Sequence, residues 1–216
     1  MGEKKLKDHD IREPLFMYFE EKYGKCRVLE EICINSSRAD VVLILSDKVV
    51  GVEIKSDADT YQRLVSQVKN YNRFFDTNWL VVGSTHAKSS EKYLPEWWGI
   101  ISVEEIEGRF DFYVIREAQK NPKNILKNKL SLLWRTELYN IQCKIDMFKY
   151  KEKSKAFVRD KIIEKLDEIS LNKYISDELF ERDYTTIKEE IEAFRHKKIR
   201  KTKYRRIRKK IEEILI

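Results

Sequence analysis

The stretch from Arg38 to Lys55, R-A-D-V-V-L-I-L-S-D-K-V-V-G-V-E-I-K, decides the fold of this chain. It contains two runs of mainly aliphatic residues, Ala39–Leu45 and Val49–Ser56, and both are rich in valine and isoleucine, which favour strands. Only Ser46-Asp47-Lys48 separates the two runs, which is the size of a short hairpin turn. The stretch therefore predicts two neighbouring antiparallel strands.

Three charged residues, Asp40, Glu53 and Lys55, lie inside these otherwise apolar strands. Because side chains alternate along a strand, Glu53 and Lys55 project from the same face of the sheet and Ile54 projects from the other. The hairpin brings Asp40 beside the strand that carries Glu53. Buried charges are unfavourable unless they are paired or bound to a metal. We therefore expect the three charged side chains to converge on one point.

This combination of side chains fits metal-assisted phosphodiester hydrolysis. Two neighbouring carboxylates favour a divalent cation between them, and a site made only of oxygen ligands suits Mg²⁺ or Mn²⁺ rather than zinc. Such a cation can activate a bound water and stabilise charge on a phosphate. Lys55 could orient or deprotonate that water, or neutralise the phosphate. The alternative is that Asp40 caps a turn and Glu53 and Lys55 form a solvated pair.

The segments around this stretch complete an α/β pattern. We predict an amphipathic helix at Ile11–Tyr23 that ends at Gly24. A second helix follows the possible caps at residues 57–59 and carries apolar residues at helical spacing up to Phe75. A helical crossover between strands implies parallel pairing, so the predicted sheet is mixed. The other predicted strands are Val28–Ile34, the buried strand Trp79–Gly83, and two edge strands at Ile100–Val103 and Phe110–Ile115.

The chain changes in character after about Gln119–Lys123. Residues beyond this point are rich in lysine and glutamate, with apolar residues at helical spacing. We predict a core domain at residues 1–120 and a mainly α-helical region at residues 121–216. No Gly/Ser-rich linker separates the two, so we expect them to pack together. The helices predicted in this region are Ile125–Gln142, Ala156–Ser170, Ile175–Phe180 and a last one from Thr186 to the end.

Composition excludes several classes of protein. No stretch approaches the ~18 apolar residues of a membrane span. The start, M-G-E-K-K-L-K-D-H-D, lacks the apolar segment of a secretory signal. The three cysteines are too few and too scattered for a disulfide framework or a tetrahedral zinc site. We therefore expect a cytoplasmic protein that does not enter a membrane.

The net charge of +7 is concentrated near the end of the chain. Between Arg195 and Lys210 there are 11 Lys or Arg residues and no Asp or Glu, whereas the rest of the chain is slightly acidic. Such a cluster can neutralise several phosphates and bind nucleic acid without sequence preference. Lys203, Arg205 and Arg206 are the candidate contacts within it. The alternative is a solvated helix face.

The order of elements resembles a known superfamily of nucleases. A helix, an Asp-bearing strand, an E-x-K strand and a helix with Q-x-x-x-Y at Gln67–Tyr71 are similar to the RecB-type branch of the PD-(D/E)XK nucleases. The resemblance covers roughly residues 10–85. More narrowly, the motifs R-A-D-V-V, G-V-E-I-K-S-D-A-D-T and L-L-W-R-T-E-L resemble the sce family of small stand-alone bacterial and phage proteins. The fold implied is a restriction-endonuclease-like mixed sheet flanked by helices.

The resemblance also implies roles for individual residues. Asp40 and Glu53 would bind the metal together with the main-chain carbonyl of Ile54, and Lys55 would be the catalytic lysine. Gln67 and Tyr71 would contact the nucleic-acid backbone or support the metal ligands. Many members add an acidic ligand from the first helix, for which we favour Glu13 over Glu20 and Glu21. Ala39 stands where the namesake motif has a proline.

These observations predict a metal-dependent nuclease that acts on DNA in repair, phage biology or defence. Two alternatives are a catalytically silent nucleic-acid-binding module and a protein-interaction regulator on the same fold. Arg38, beside the site, could hold a phosphate or pair with a nearby carboxylate. The sequence leaves the oligomeric state open, with a homodimer as one option.

Overall fold

The computed structural model describes residues 6–57, 59–85 and 87–182. Within them, six strands form one sheet whose spatial order follows the chain order. The strands are β1 (Arg27–Ile34), β2 (Ser37–Ile44), β3 (Val49–Lys55), β4 (Thr77–Gly83), β5 (Gly99–Ile106) and β6 (Arg109–Arg116). Strand β4 pairs with β3 and β5 in parallel, and the other neighbours are antiparallel. The predicted mixed sheet is confirmed.

Helices cover both faces of the sheet. They are α1 (Asp8–Tyr23), α2 (Leu64–Phe74), α3 (Ala87–Ser90), α4 (Leu126–Lys129), α5 (Arg135–Lys144), α6 (Lys155–Lys165) and α7 (Glu168–Phe180). Helix α1 packs on one face, where its buried residues meet one hydrophobic core. Helix α2 and the helices after α3 contribute to the core on the other face. The predicted arrangement, helices flanking a mixed sheet and followed by a helical region, is confirmed.

Alternation along β2 and β3 explains why both faces are apolar. Val41 and Leu43 enter the core beneath α1, whereas Val42 and Ile44 enter the core beneath α2. All seven residues of β3 are buried. Since the strand has no solvent face, Glu53 and Lys55 must find their partners inside the protein.

Gly51 sets the position of α2 above β3. A Cβ atom at this position would lie 2.2 Å from the ring of Phe75 and 2.8 Å from the ring of Tyr71. Such distances are far inside van der Waals contact, so only glycine lets the two rings approach the strand this closely. Tyr71 is thereby held against the strands that carry the charged residues.

Asp76, just after α2, joins the sheet to the helical region. Its Oδ2 accepts a hydrogen bond of 2.8 Å from the main-chain N–H of Val49, and its Oδ1 accepts one of 2.7 Å from Asn124 Nδ2. The ammonium of Lys129 lies 2.6 Å from Oδ1 and 2.8 Å from Oδ2. Lys129 is 1% exposed, and burial lowers its pKa. The helical region is therefore tied to the sheet through a buried ion pair.

The described helical segment shares a core with the sheet, and the described residues up to Phe180 belong to one compact unit. The predicted domain boundary near residue 120 stays a prediction. None of the helices in the described ranges is long and apolar enough to cross a membrane.

One predicted strand position and two predicted helix boundaries were wrong. Strand β5 is an interior strand rather than an edge, since it pairs with both β4 and β6. The helix predicted at Ile125–Gln142 is interrupted, because the backbone of Leu133 and Trp134 is extended. Hydrophobic spacing alone does not reveal such a break. Helix α2 begins at Leu64 rather than near residues 57–59, where Asp59 instead accepts hydrogen bonds from the N–H and hydroxyl of Ser56.

Candidate active site

Strands β2 and β3 separate where the charged residues lie. Their pairing extends from Ile44 and Val49 to Val41 and Val52. Beyond this point, the hydroxyl of Tyr71 accepts a hydrogen bond of 3.1 Å from the N–H of Asp40 and donates one of 3.2 Å to the carbonyl of Val52. The Asp40 carboxylate accepts a hydrogen bond of 2.9 Å from the N–H of Ile54. Side chains thus replace the main-chain ladder between the two strands.

Glu53 lies at the centre of the site and is completely buried. Its Oε1 accepts a hydrogen bond of 2.5 Å from Lys55 Nζ and another from Gln67 Nε2. Its Oε2 and the Oε1 of Gln67 are buried and have no hydrogen-bond partner in the described part of the chain. The site therefore has unused oxygen acceptors directly beside a fixed lysine.

The site is electrostatically unfavourable for its own carboxylates. Burial and the nearby charge of Glu53 raise the pKa of Asp40 to about 7, although the Ile54 N–H and Lys55 act in the opposite direction. Burial also raises the pKa of Glu53, against the effect of Lys55. Burial together with the charges of Glu53 and Asp40 raises the pKa of Tyr71 well above its ordinary value. Asp40 and Glu53 therefore compete for the same positive charge.

The raised pKa of Asp40 predicts that metal-free protein loses stability as the pH rises. From about pH 4 to pH 7, unfolded chains release this proton whereas folded protein keeps it, so the free energy of unfolding falls across this window. We expect Asp40→Asn, which has no such titration, to be more stable than wild type by about 2–4 kcal/mol at pH 8. The difference should be small at pH 4. Urea unfolding in EDTA at the two pH values measures it.

Asp160→Asn is a suitable control, because Asp160 forms an exposed ion pair with Lys127. An Asp40→Asn variant whose stability follows wild type at both pH values would contradict the assigned charge state of Asp40.

A pocket of about 640 Å³ opens beside the charged residues. Its walls come from α1, β1, β2, β3 and α2. Residues that matter for the chemistry are Asp8, Arg12, Arg38, Asp40, Lys55 and Gln67. The structure thus brings together the predicted residues Asp40, Glu53, Lys55, Gln67 and Arg38. Ile54 also lines the pocket, and the role of its carbonyl as a metal ligand stays a prediction.

The acidic residue that α1 directs toward the pocket is Asp8, not Glu13. Helix α1 begins at Asp8, three residues before the predicted start at Ile11. Glu13 is exposed and lies about 140° around the helix axis from Asp8. The Oδ1 atom of Asp8 is buried without a hydrogen-bond partner among the described residues, while Oδ2 accepts a hydrogen bond from Arg12. The sequence signal was the i, i+4 pair of Asp8 and Arg12.

Tyr71 was predicted to contact nucleic acid or to support the metal ligands. The first role is wrong, because Tyr71 is completely buried and its hydroxyl is engaged with the main chains of β2 and β3. Its contacts fit the second role, since it holds the strand carrying Asp40 at a fixed distance from the strand carrying Glu53. Gln67 is partly exposed and lines the pocket, so contact with a ligand remains a prediction for it.

The oxygen donors of the site meet the requirements of a divalent cation in part. The described residues contain no group of three or more His, Cys, Asp or Glu side chains that could hold a metal ion. Two close carboxylates with an unpartnered, buried Oε2 on Glu53 nevertheless fit a hard cation that takes its remaining ligands from carbonyl oxygens and water. The predicted nucleic-acid contacts Lys203, Arg205 and Arg206 lie outside the described residues.

Comparison with known proteins gives a family but no activity. No curated protein and no solved structure shows significant similarity to the chain. The family model of Bacteriophage P4 protein cII matches residues 3–213. Because this match covers nearly the whole sequence, the chain belongs to the Bacteriophage P4 protein cII family.

Proposed function

We propose that this protein is a divalent-metal-dependent nuclease of the PD-(D/E)XK type that hydrolyses phosphodiester bonds. The observation that carries the proposal is the completely buried Glu53, whose Oε2 has no partner among the described residues while Oε1 accepts a hydrogen bond from Lys55. A buried carboxylate oxygen without a donor is costly in a protein that binds nothing there. A cation at this position would offset that cost and the repulsion from Asp40.

Each residue of the site has a role in the proposed reaction. Asp40 and Glu53 would hold Mg²⁺ or Mn²⁺, with the Ile54 carbonyl as a further candidate oxygen ligand, and Asp8 lines the same pocket. The bound cation would supply polarisation of the phosphodiester and activation of water. Lys55, held by Glu53, would orient the attacking water or neutralise the phosphate. Gln67 fixes the Glu53 carboxylate through its amide, so that Glu53 is preorganised for its ligand.

DNA is the substrate that we propose. The wall of the pocket carries Arg12, Arg38 and Arg63, which suit a phosphate backbone. The basic cluster at residues 195–210 would add sequence-independent affinity. Membership of a family named after a bacteriophage protein is compatible with a role in phage DNA metabolism or defence.

The proposal is tested with full-length protein and purified nucleic acids. Linear, nicked and single-stranded DNA and single-stranded RNA are each incubated with Mg²⁺, Mn²⁺ or EDTA, and products are separated on gels. We expect DNA fragments with Mg²⁺ or Mn²⁺ and none with EDTA. If all substrates remain intact with Mg²⁺ and with Mn²⁺, the proposed nuclease function is refuted.

A nucleic-acid-binding module without catalytic activity is the second candidate. It is favoured by one observation, that the described residues contain no group of three metal-binding side chains of the His, Cys, Asp or Glu type. This candidate predicts equal DNA affinity in the presence of Mg²⁺ and of EDTA, and no cleavage. Measurement of affinity in the same assays therefore separates the two functions.

A further inference from the structure

Glu31, on β1 beside the pocket, has an unusual backbone conformation. Its φ angle is +56°, although the neighbouring residues Glu30 and Ile32 are paired with β2 as in a regular strand. A left-handed conformation at a residue other than glycine is strained and is often found at functional sites. The side chain of this residue lies against two arginines, Arg12 and Arg38.

The carboxylate of Glu31 joins arginines from two different elements. Its Oε1 lies 2.6 Å from Arg12 Nη2 on α1, and its Oε2 forms an ion pair with Arg38 Nε on β2. All three residues line the pocket that also contains Asp40 and Lys55. A carboxylate held by two guanidinium groups has the charge and the hydrogen-bonding geometry of a bound phosphate.

The two arginines differ in how firmly they are held. The Arg12 side chain is only 15% exposed, and it is also bonded to Asp8 and to the main-chain carbonyl of Asp40. The Arg38 side chain is 66% exposed, so it can move without disturbing the core. Arg12 therefore provides a fixed positive charge, and Arg38 provides one that can adapt to a ligand.

We propose that the Glu31 carboxylate occupies the binding position of a substrate phosphate, and that Arg12 and Arg38 bind this phosphate once it displaces Glu31. The inference rests on the proposed function, because it assigns the phosphate contact of the same site. It adds that Glu31 competes with the substrate. Removal of the Glu31 carboxylate should therefore uncover an anion site.

Inorganic phosphate tests this inference without any nuclease activity. Glu31→Gly removes the carboxylate and suits the positive φ, and Arg12 keeps Asp8 and the Asp40 carbonyl as partners, so the variant should fold. We expect about 50 mM phosphate, compared with chloride at equal ionic strength, to raise its thermal midpoint by about 2–4 °C. The thermal midpoint of wild type should rise less, because the Glu31 carboxylate competes with phosphate for the two arginines. An equal gain in both proteins would overturn the inference.

Two further variants show whether the gain belongs to the arginines. In Glu31→Gly combined with Arg38→Ala, the phosphate effect should disappear. Glu30→Gln is the control, since Glu30 lies on the same strand and, within the described part of the chain, forms an ion pair with Arg12 alone, at 3.5 Å. It should respond to phosphate as wild type does. If the rise of the thermal midpoint in phosphate persists without Arg38, or is equally large in Glu30→Gln, it results from the loss of any negative charge. Either result would refute the proposed phosphate site.

DNA binding then separates this inference from the nuclease itself. We expect Glu31→Gln to bind a labelled oligonucleotide in EDTA about two- to fivefold more tightly than wild type, and Arg38→Ala to abolish this gain. Metal-dependent cleavage without these effects would support the proposed nuclease function and refute the proposed phosphate position. If these effects are found but no DNA is cleaved, the phosphate position is supported and the proposed nuclease function is refuted.

Discussion

Replacement of Lys55 by alanine is expected to reduce metal-dependent DNA cleavage by at least about 100-fold, because the ammonium group would orient the attacking water or neutralise the phosphate. Glu53→Gln should have an effect of the same size. It retains the shape of the side chain but removes the charge that would hold the metal. Initial rates of cleavage at saturating Mn²⁺ measure both effects.

The two variants are expected to differ in stability, so their unfolding shows whether a loss of cleavage results from a loss of structure. Lys55→Ala leaves the buried carboxylate of Glu53 without its cation and should lower stability, whereas Glu53→Gln can still accept hydrogen bonds from Lys55 and Gln67. Thermal unfolding of each variant separates lost chemistry from lost structure. Lys69→Ala, at an exposed position of α2, is a control that should cleave at the wild-type rate. A folded Glu53→Gln variant with normal cleavage would remove Glu53 from the proposed mechanism.

Replacement of Asp76 by alanine is expected to lower the free energy of unfolding by about 3–5 kcal/mol. The Lys129 ammonium would remain buried at 1% exposure without its carboxylate, and the N–H of Val49 and the amide of Asn124 would each lose an acceptor. The change acts on the connection between the sheet and the helical region rather than on the candidate active site. Urea unfolding at neutral pH measures the loss.

Two comparisons test the cause of this loss. Asp160→Ala breaks the exposed pair with Lys127 and should lower the free energy of unfolding by no more than about 1 kcal/mol. The double variant Asp76→Ala/Lys129→Met should be more stable than Asp76→Ala alone, because it no longer buries an unpaired charge. If the second substitution adds further destabilisation instead, the buried charge is not the cause.

The centre of the site could be predicted from the sequence because its signal is local. Asp40, Glu53 and Lys55 are charged residues within apolar strands, and a short turn between the strands fixes their relationship. The alternation of side chains then places Glu53 and Lys55 on one face without any knowledge of the rest of the chain. The sheet type followed from the helical segment that separates β3 from β4.

The rest of the site depends on contacts between distant segments. Asp8 enters the pocket because α1 begins earlier than its apolar spacing indicates, and the start of a helix is poorly determined by spacing alone. Glu31 pairs with Arg12 and Arg38 and has a positive φ, and no sequence pattern predicts either feature. Tyr71 was predicted to contact nucleic acid or to support the metal ligands, and the close approach at Gly51 places it in the core, where it cannot contact nucleic acid.

The strand order has a consequence for how the protein acquires its structure. Every strand pairs with the one that precedes or follows it in the chain, so the three antiparallel pairs close over short turns, whereas the two parallel pairs of β4 close over longer connections and should form later. Residues up to Arg116 include all six strands, so the sheet can assemble during synthesis before the later helices leave the ribosome. Until those helices are made, the face beneath them is covered only in part, by α2 and by the segment around α3 and Trp98. A chain truncated after β6 should therefore expose apolar surface and aggregate.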